Sequence, residues 1–268
     1  MKERLDVLLV KRDLAETREK AKRLIMAGQV FSENNRMDKP GVKVDESIPL
    51  TVKGSIPYVS RGGFKLEKAI EYFSLDLKGR TMVDIGSSTG GFTDCALQNG
   101  MEKVYAIDVG YNQLDWKLRS DPRVLVHERT NFRHVTADFF TEGLPNFATI
   151  DVSFISLRII LPVLKEILLD NSDVIALIKP QFEANREDVG KKGVIRDKSV
   201  HLYVLKEIVG FAEEIGFHCA DLTFSPITGG EGNIEFLAHF TWKKTDDEKN
   251  DIQSRMKDLV EEAHTRLK

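Results

Sequence analysis

The sequence predicts an α/β protein: a doubly wound, mostly parallel, Rossmann-like sheet with helices on both faces, preceded by a small α+β module. Three observations carry this expectation. From Lys78 onward, β-like and helical segments alternate, as parallel strands joined by crossover helices require. One of the β-like segments, "RTMVDIG", runs straight into "SSTGGFTD", a strand, glycine-rich turn and helix start of the kind that brings backbone close to a ligand. Residues 1–56 differ in texture, with two short amphipathic helices followed by brief β-like pieces.

A chain of 268 residues has room for one large domain and a small one. Its 41% apolar and 30% charged content fits a soluble globular protein, and a net charge of −3 excludes a chain that binds nucleic acid through overall basicity. A local basic patch is compatible with that balance, because binding depends on where charge sits. Cys95 and Cys219 are far apart and in no C-x-x-C pair, so neither a disulfide framework nor a zinc site is indicated, and no metal site is expected. "MKERLDVLLVKRD" is charged every few residues, unlike a signal peptide. No apolar run approaches the roughly 20 residues of a membrane helix. A cytoplasmic protein without membrane attachment is the expectation; its oligomeric state is open.

In the N-terminal module, "ERLDVLLVKR" places Leu5, Leu8 and Leu9 at helical spacing, with Val10 alongside. In "TREKAKRLIMAG", Thr17 is an N-cap, Ala21, Leu24 and Ile25 form one apolar stripe, and Gly28 is a stop. "QVF", "VKV" and "IPLTV" follow as short strands. The second helix carries Arg18, Lys20, Lys22 and Arg23 against one acid, Glu19, which taken alone reads as a solvated helix face. In "KGSIPYVSRGGFKL", Gly54, Pro57 and Gly62-Gly63 mark a joint, with a linker over 57–64.

The larger domain, 65–243, reads as strands at "RTMVDIG", "KVYAIDVG", "VLVHE", "FATIDVSF" and "SDVIALIKP", then a closing pair, "CADLTFSPI" and "NIEFLAHFTW". Helices lie at "GFTDCALQNG", "SLRIILPVLKEIL" and "SVHLYVLKEIVGFAEEIG", with Pro162 near enough the start of the second to be tolerated. Residues 244–268 form a charged helical tail, with Ile252, Met256, Leu259, Val260, Ala263 and Leu267 at helical spacing. In such a sheet, ligands sit at the carboxyl ends of the strands.

Gly86-Ser87-Ser88-Thr89-Gly90 admits two readings. As Gly-x-Ser-x-Gly it matches the nucleophile elbow of serine hydrolases, with Asp151 and then His218 or His239 available as partners, but without an "HGGG"-type oxyanion segment. As a cradle, it sets Asp84 at the end of one strand, then Gly86, Gly90, Gly91 and Phe92, with Asp108 at the end of the next strand, 24 residues beyond Asp84. An acid there can accept two ribose hydroxyls. The pairing favours a nucleoside ligand held at Asp84, Gly86, Ser88, Gly90, Gly91, Phe92 and Asp108, with Asn131 and Phe132, just after the third strand, as further candidates for holding its base. Four further polar residues recur at element ends: Lys65, Asp151, Lys179 and Glu235. Asp151 and Lys179 directly follow runs that should be buried, where an unpaired charge is costly.

The order "RLDVLLV", "TREKAKRLIMAGQV", "KPGVKV" resembles the S4-type RNA-binding domain, with "FSENN" where such modules often have "VNG". That resemblance implies RNA contacts from Arg4, Lys11, Arg18, Lys22, Arg23 and, in the linker, Arg61. The glycine loop with its strand-end acid resembles S-adenosylmethionine-dependent methyltransferases. Lys-Asp-Lys-Glu in this order resembles the tetrad of FtsJ-type ribosomal-RNA 2′-O-methyltransferases. With "YVSRGGFKL", "DIGSSTGGFTD", "IDVSFISL" and "LIKPQFE", nearly the whole chain resembles the TlyA family, which is also called hemolysin A-like. The resemblance implies methyl transfer from S-adenosylmethionine to a cytidine ribose 2′-hydroxyl of 16S and/or 23S rRNA, with ribosomal RNA and ribosomal subunits as partners. Two other readings are a membrane-active hemolysin and a non-catalytic RNA-binding protein on a methyltransferase scaffold.

Overall fold

The computed structural model describes all residues except 1, 34, 53–56, 191, 245–250 and 268, and the chain divides into two compact units, Met1–Arg61 and Gly62–Lys268. Gly54 and Ile56, at the expected edge of the first module, and residues 245–250, which open the expected tail, lie outside the described residues.

The first unit contains β1 (Lys2–Arg4), α1 (Leu5–Lys11), α2 (Arg18–Met26), β2 (Val30–Ser32), β3 (Asn35–Arg36), β4 (Lys43–Asp45) and β5 (Thr51–Val52). The sequence places residues 3 and 4 in a helix; the structure puts them in β1, antiparallel to β4 with Glu3 opposite Val44. Leu5 and Asp6 then donate backbone N–H groups to Val42 and Pro40, so α1 starts at Leu5, the first residue of the apolar spacing, two residues after Glu3. A three-residue strand is too short to leave a period-2 signature. Leu5, Leu8, Leu9, Ala21, Leu24, Ile25 and Val30 form this unit's core. Thr17 caps α2, accepting from the Lys20 N–H at 3.1 Å, and Gly28, at φ +71°, follows its end.

The second unit begins with α3 (Gly62–Tyr72), then β6 (Thr81–Ile85), α4 (Gly91–Gln98), β7 (Lys103–Ile107), α5 (Trp116–Arg119) and β8 (Val124–His127). It continues through β9 (Phe147–Ile150), α6 (Leu157–Leu164), β10 (Ser172–Ile178), α7 (Pro180–Glu183), α8 (Lys198–Glu214), β11 (Phe217–Phe224), β12 (Phe236–Trp242) and α9 (Ile252–Arg266). One sheet of seven strands has the order β11-β12-β10-β9-β6-β7-β8; the pairings from β10 to β8 are parallel, and β12 runs antiparallel to both its neighbours. The chain lays β7 and β8 on one side of β6 and then returns to place β9 on the other, which creates the switch point at which doubly wound sheets open a crevice. Strands β9 and β10 are buried along their whole length, which explains their continuous apolar runs.

Pro162 falls in the second half of α6, not near its start, and the helix stops two residues later. The tail does not stand apart. Ile252, Met256, Val260 and Ala263 of α9 enter the same core as the sheet, and α9 packs on α8 and β11. Among the described residues no helix is long and apolar enough to cross a membrane.

Candidate active site

A cleft of about 720 Å³ opens where the β6, β7, β8 and β9 carboxyl ends meet. Its walls include Gly86 and Ser88 after β6, Asp108 after β7, Asn131 and Phe132 after β8, and Asp151–Ser156 after β9. Gly86 stands at φ +83°, and a Cβ there would lie 2.6 Å from the carbonyl oxygen of Asp151. Only glycine lets the first loop come up against the fourth. Gly90, at φ +95°, starts α4; a side chain there would meet Leu114 and Leu118.

Asp108 is fixed by its backbone surroundings. One carboxylate oxygen accepts the Ser88 N–H at 2.8 Å and the other the Gly110 N–H at 2.6 Å. Each oxygen retains a further lone pair for a ligand hydroxyl. Asn131 lines the cleft, although its side-chain oxygen accepts the Arg133 N–H at 3.1 Å. Phe132 is 4% exposed and serves both as cleft wall and as core.

The structure does not bring four of the expected donor-binding residues to the cleft: Asp84, Gly90, Gly91 and Phe92 are not among its walls. Asp84 is buried and accepts hydrogen bonds from Thr93 Oγ1 at 2.7 Å and Thr149 Oγ1 at 2.8 Å. Burial pushes its carboxyl up to about 6, with the two threonine hydroxyls opposing the shift. Phe92 points its ring into the interior because α4 is buried from Gly91 to Leu97. These residues shape the loop from beneath.

The hydrolase reading finds no geometry. Ser88 Oγ lies 3.4 Å from Gln113 Oε1. His239 is bonded through Nε2 to Asp173 at 2.7 Å, near the start of β10 and away from the carboxyl edge. His218 sits at the start of β11, the edge strand farthest from β8.

Beside the cleft the four strand-end and helix-start residues meet. Lys179 Nζ lies 2.5 Å from Asp151 Oδ1; Asp151 Oδ2 lies 3.3 Å from Lys65 Nζ; Lys65 Nζ lies 2.8 Å from Glu235 Oε2. The result is an alternating row, Lys179–Asp151–Lys65–Glu235, formally neutral. The side chains of Lys65, Lys179 and Glu235 are nearly buried, whereas Asp151 keeps 20% of its surface, and it also lines the cleft. Burial alone would lower the pKa of Lys65, but Asp151 and Glu235 together hold it above the ordinary lysine value. Burial alone would raise Asp151; Lys65 and Lys179 outweigh it and hold the carboxyl below its ordinary value.

Sequence reading missed the residues around this row. Ser153 Oγ accepts from Lys179 at 3.3 Å, and Gln181 Nε2 donates to Glu235 Oε1 at 3.3 Å. Gly229 leaves room for Glu235, whose carboxylate a Cβ would strike. Phe154 is 90% exposed, sits at φ +63° and packs on Phe182 with ring centres 4.8 Å apart. A left-handed phenylalanine costs about 1–3 kcal/mol and persists only where its surroundings over-determine it. "QFE" and "SFIS" lay inside quoted motifs, so Gln181, Phe182 and Phe154 had a signal; Gly229 had none.

In the first unit, the expected RNA-contacting side chains already have partners. Arg4 and Arg18 both bond Asp6, Lys11 pairs with Glu46, Lys22 with Glu19, and Arg23 donates to the Val59 carbonyl at 2.6 Å. The buried carboxyl of Asp6 is held down to about 2, chiefly by its hydrogen bond with Arg4. Arg61 is half-exposed.

A parallel sheet with one reversed strand, a glycine-turned cleft at its switch point and a buried row of two lysines and two carboxylates define a methyltransferase-type catalytic domain. Residues 58–242 match the FtsJ-like methyltransferase family and residues 3–47 the S4 domain, and the chain belongs to that family, in its S4-bearing TlyA form. It is 62% identical over 269 aligned residues to the Bacillus subtilis (strain 168) protein named "Putative rRNA methyltransferase YqxC", covering 100% of this chain and 96% of the relative. It is 38% identical over 262 residues, 97% of this chain and 96% of the relative, to "16S/23S rRNA (cytidine-2'-O)-methyltransferase TlyA" of Mycobacterium tuberculosis (strain ATCC 25618 / H37Rv). A solved structure named "Putative hemolysin from Streptococcus thermophilus" superposes with a TM-score of 0.78 at 54% identity, over 99% of this chain and 96% of that one.

Proposed function

We propose that this enzyme transfers a methyl group from S-adenosylmethionine to the ribose 2′-hydroxyl of a cytidine in 16S or 23S ribosomal RNA, acting in the cytoplasm on RNA within ribosomal subunits. The observation that carries the reading is the position of Asp151, one carboxylate that both lines the cleft and pairs with two lysines. The relatives' names supply the substrate class.

The cleft fits the donor on its own terms. Its volume of about 720 Å³ is that of a nucleoside-sized pocket. Asp108 offers two pre-positioned acceptors for a ribose diol, Gly86 and Ser88 supply close backbone, and Phe132 with Ile107 supplies apolar wall. The donor's part in the chemistry is a methyl group on a positively charged sulfur. Asp84, Gly90, Gly91 and Phe92 act by holding the loop that Gly86 and Ser88 belong to.

A 2′-hydroxyl is a poor nucleophile until its proton is drawn off. Lys65 lies between two carboxylates and keeps its proton; its charge fixes Asp151 and Glu235. Lys179 has one carboxylate partner and is the amine proposed to take the hydroxyl proton, while Asp151 orients it and stabilises the ammonium that forms. Glu235 holds Lys65, with Gln181 on its other oxygen. Arg4, Lys11, Arg18, Lys22, Arg23 and Arg61 are the proposed phosphate contacts.

The test is single-turnover methylation of purified small and large subunits with labelled donor, followed by mapping of the modified nucleotide. Label on a cytidine ribose is expected. Label on a base, or on neither subunit, overturns the reading.

A further inference from the structure

Two segments meet at the row of charged residues: the loop 151–156, between β9 and α6, and the turn 179–183, which leaves β10 and forms α7. They are tied at both ends. At one end Lys179 reaches Asp151 at 2.5 Å and Ser153 at 3.3 Å. At the other, Glu183 Oε2 accepts from Ser156 Oγ at 2.5 Å and Glu183 Oε1 from the Leu157 N–H at 2.7 Å. Between the two ties Phe154 stands in the left-handed region, its ring against Phe182.

We propose that Glu183 is a positioning residue for methyl transfer: with Ser156 it forms a clasp that holds loop 151–156 against turn 179–183, so that Asp151 stays aligned between the two lysines. The inference rests on the methyl-transfer reading of Asp151 and Lys179 given above.

The chemistry of the clasp argues for more than packing. Glu183 is half-buried, takes two neutral donors and, among the described residues, forms no ion pair; the only cation acting on it is the nearby Arg158. Arg158, two residues past Ser156, is committed to Glu207 at 3.1 Å. Burial raises the Glu183 carboxyl above its ordinary value, with Ser156, Leu157 and the charge of Arg158 offsetting part of the shift. A glutamine in this place would avoid that burial penalty. What the carboxylate adds is two acceptor oxygens on one rigid plane, one for the hydroxyl of the α6 N-cap residue and one for the first backbone N–H of α6. Ser156 in turn accepts the Arg158 N–H at 3.1 Å, so its own hydroxyl proton is directed at Glu183. The helix start, and with it the C-terminal end of the strained loop, is thereby fixed by the same five-residue turn that carries Lys179.

The experiment measures single-turnover methylation at saturating donor and subunits, donor affinity and thermal stability for Glu183→Ala, Glu183→Gln, Ser156→Ala and Ser156→Ala/Glu183→Ala, with Lys179→Ala in parallel. Glu183→Ala is expected to slow transfer about 10–100-fold, the scale on which displacing a group by about 1 Å acts. Glu183→Gln, which keeps the acceptor for Leu157 and loses the one for Ser156, is expected to fall between Glu183→Ala and wild type, close to Ser156→Ala. The double variant is expected to be no slower than Glu183→Ala, because both changes open one clasp. Wild-type transfer per folded molecule in Glu183→Ala, with only its stability lowered, overturns the proposal. So do losses that multiply in the double variant. Should Glu183→Ala fail to fold, Ser156→Ala decides: a slowed transfer supports the clasp and a wild-type rate overturns it. Slow Lys179→Ala beside fast Glu183→Ala removes only the clasp; fast Lys179→Ala removes the assignment on which it rests.

Discussion

Strand β10 carries a buried charge cluster at each end, and the two are built differently. Near its start, Asp173 accepts from Arg80 at 2.6 Å, His239 at 2.7 Å and Lys244 at 2.6 Å. Past its end, Lys179 begins the row of two lysines and two carboxylates. Both clusters are withdrawn from water and both have close ion pairs. At the first end one carboxylate is surrounded by donors from three other places in the chain, and Asp173 does not line the cleft. At the second, each central group is shared between two partners of opposite charge, and one of them faces the cleft. A charge at a strand end is thus poor evidence of a site by itself. A row whose members are shared, and which borders a ligand-sized cleft at the carboxyl edge, is better evidence.

The sharpest way to break the comparison is to remove the cation at one end. Lys179→Ala is expected to lower methyl transfer by roughly 10²–10⁴-fold, the contribution of a positioned general base. Donor affinity should change little, since Asp108 and Gly86 follow other strands. Lys179→Arg is expected to fail too, because a guanidinium stays protonated and its fork does not reproduce an ammonium. Asp151→Ala should be comparably damaging, and the double variant should lose less than the product of the two if they act as a unit. Near-wild-type single-turnover rates in Lys179→Ala would abolish the distinction between the two ends.

At the other end, Asp173→Ala is expected to cost stability and spare chemistry. Removing one partner of a buried pair costs about 3–5 kcal/mol; with Lys244 a third exposed, about 2–3 kcal/mol is the fitting expectation here. The sign of its pH dependence follows from the depressed carboxyl: Arg80, His239 and Lys244 overcome burial and hold Asp173 well below the ordinary carboxylate range. Its stabilisation is therefore full above the unfolded value of about 4 and is lost as pH falls below it. Denaturant titrations at neutral and acidic pH should show the wild-type advantage shrinking toward acid. A variant that keeps its stability but loses methyl transfer would place this end in the catalytic machinery after all.

A third prediction sets the donor side of the cleft against the charged row. Asp108→Ala is expected to weaken donor binding by about 1.5–3 kcal/mol, the range for hydrogen bonds to a charged group. Part of that loss comes from freeing Ser88 and Gly110, whose N–H groups it now holds. Calorimetry on this variant beside Lys179→Ala separates binding from chemistry, and unchanged affinity in Asp108→Ala would remove the ribose assignment.

How much of this was legible in the sequence varied with the physics behind each residue. Asp108, Asp151 and Lys179 stand out because each ends an apolar run, where a charge is conspicuous. The alternation of strands and helices was readable for the same reason, long buried strands leaving long apolar words. Asp84, Gly90, Gly91 and Phe92 belong to the same glycine-rich stretch as Gly86 and Ser88, yet they lie outside the cleft wall, because a tight turn followed by a buried helix divides adjacent residues between two environments. Helical spacing in α9 was visible, but not that its apolar face completes the sheet's own core. The Ser156–Glu183 clasp was invisible. Each residue alone reads as an ordinary cap or a surface acid, and only folding brings them together.

The smallest expected effect belongs to the first unit, and it extends the same comparison to charges that are paired but exposed. Arg18 and Lys22 lie on α2, with Arg18 bonded to buried Asp6 and Lys22 to exposed Glu19. If each also neutralises one RNA phosphate, replacing either by alanine should weaken subunit binding and lower the magnitude of the slope of log affinity against log salt by up to about one unit. The two positions should differ in stability. Lys22 contributes only a solvent-screened surface pair, so its loss should leave the melting temperature nearly unchanged. Arg18 is one of two arginines compensating Asp6, which is held at about 2 by Arg4 first and Arg18 after, so its loss should destabilise the unit more. The measurement is subunit binding at several salt concentrations for both variants, with thermal unfolding alongside. Unaltered salt dependence in both would return these side chains to the role of a solvated helix face, with the contacts to ribosomal RNA to be sought elsewhere on the chain.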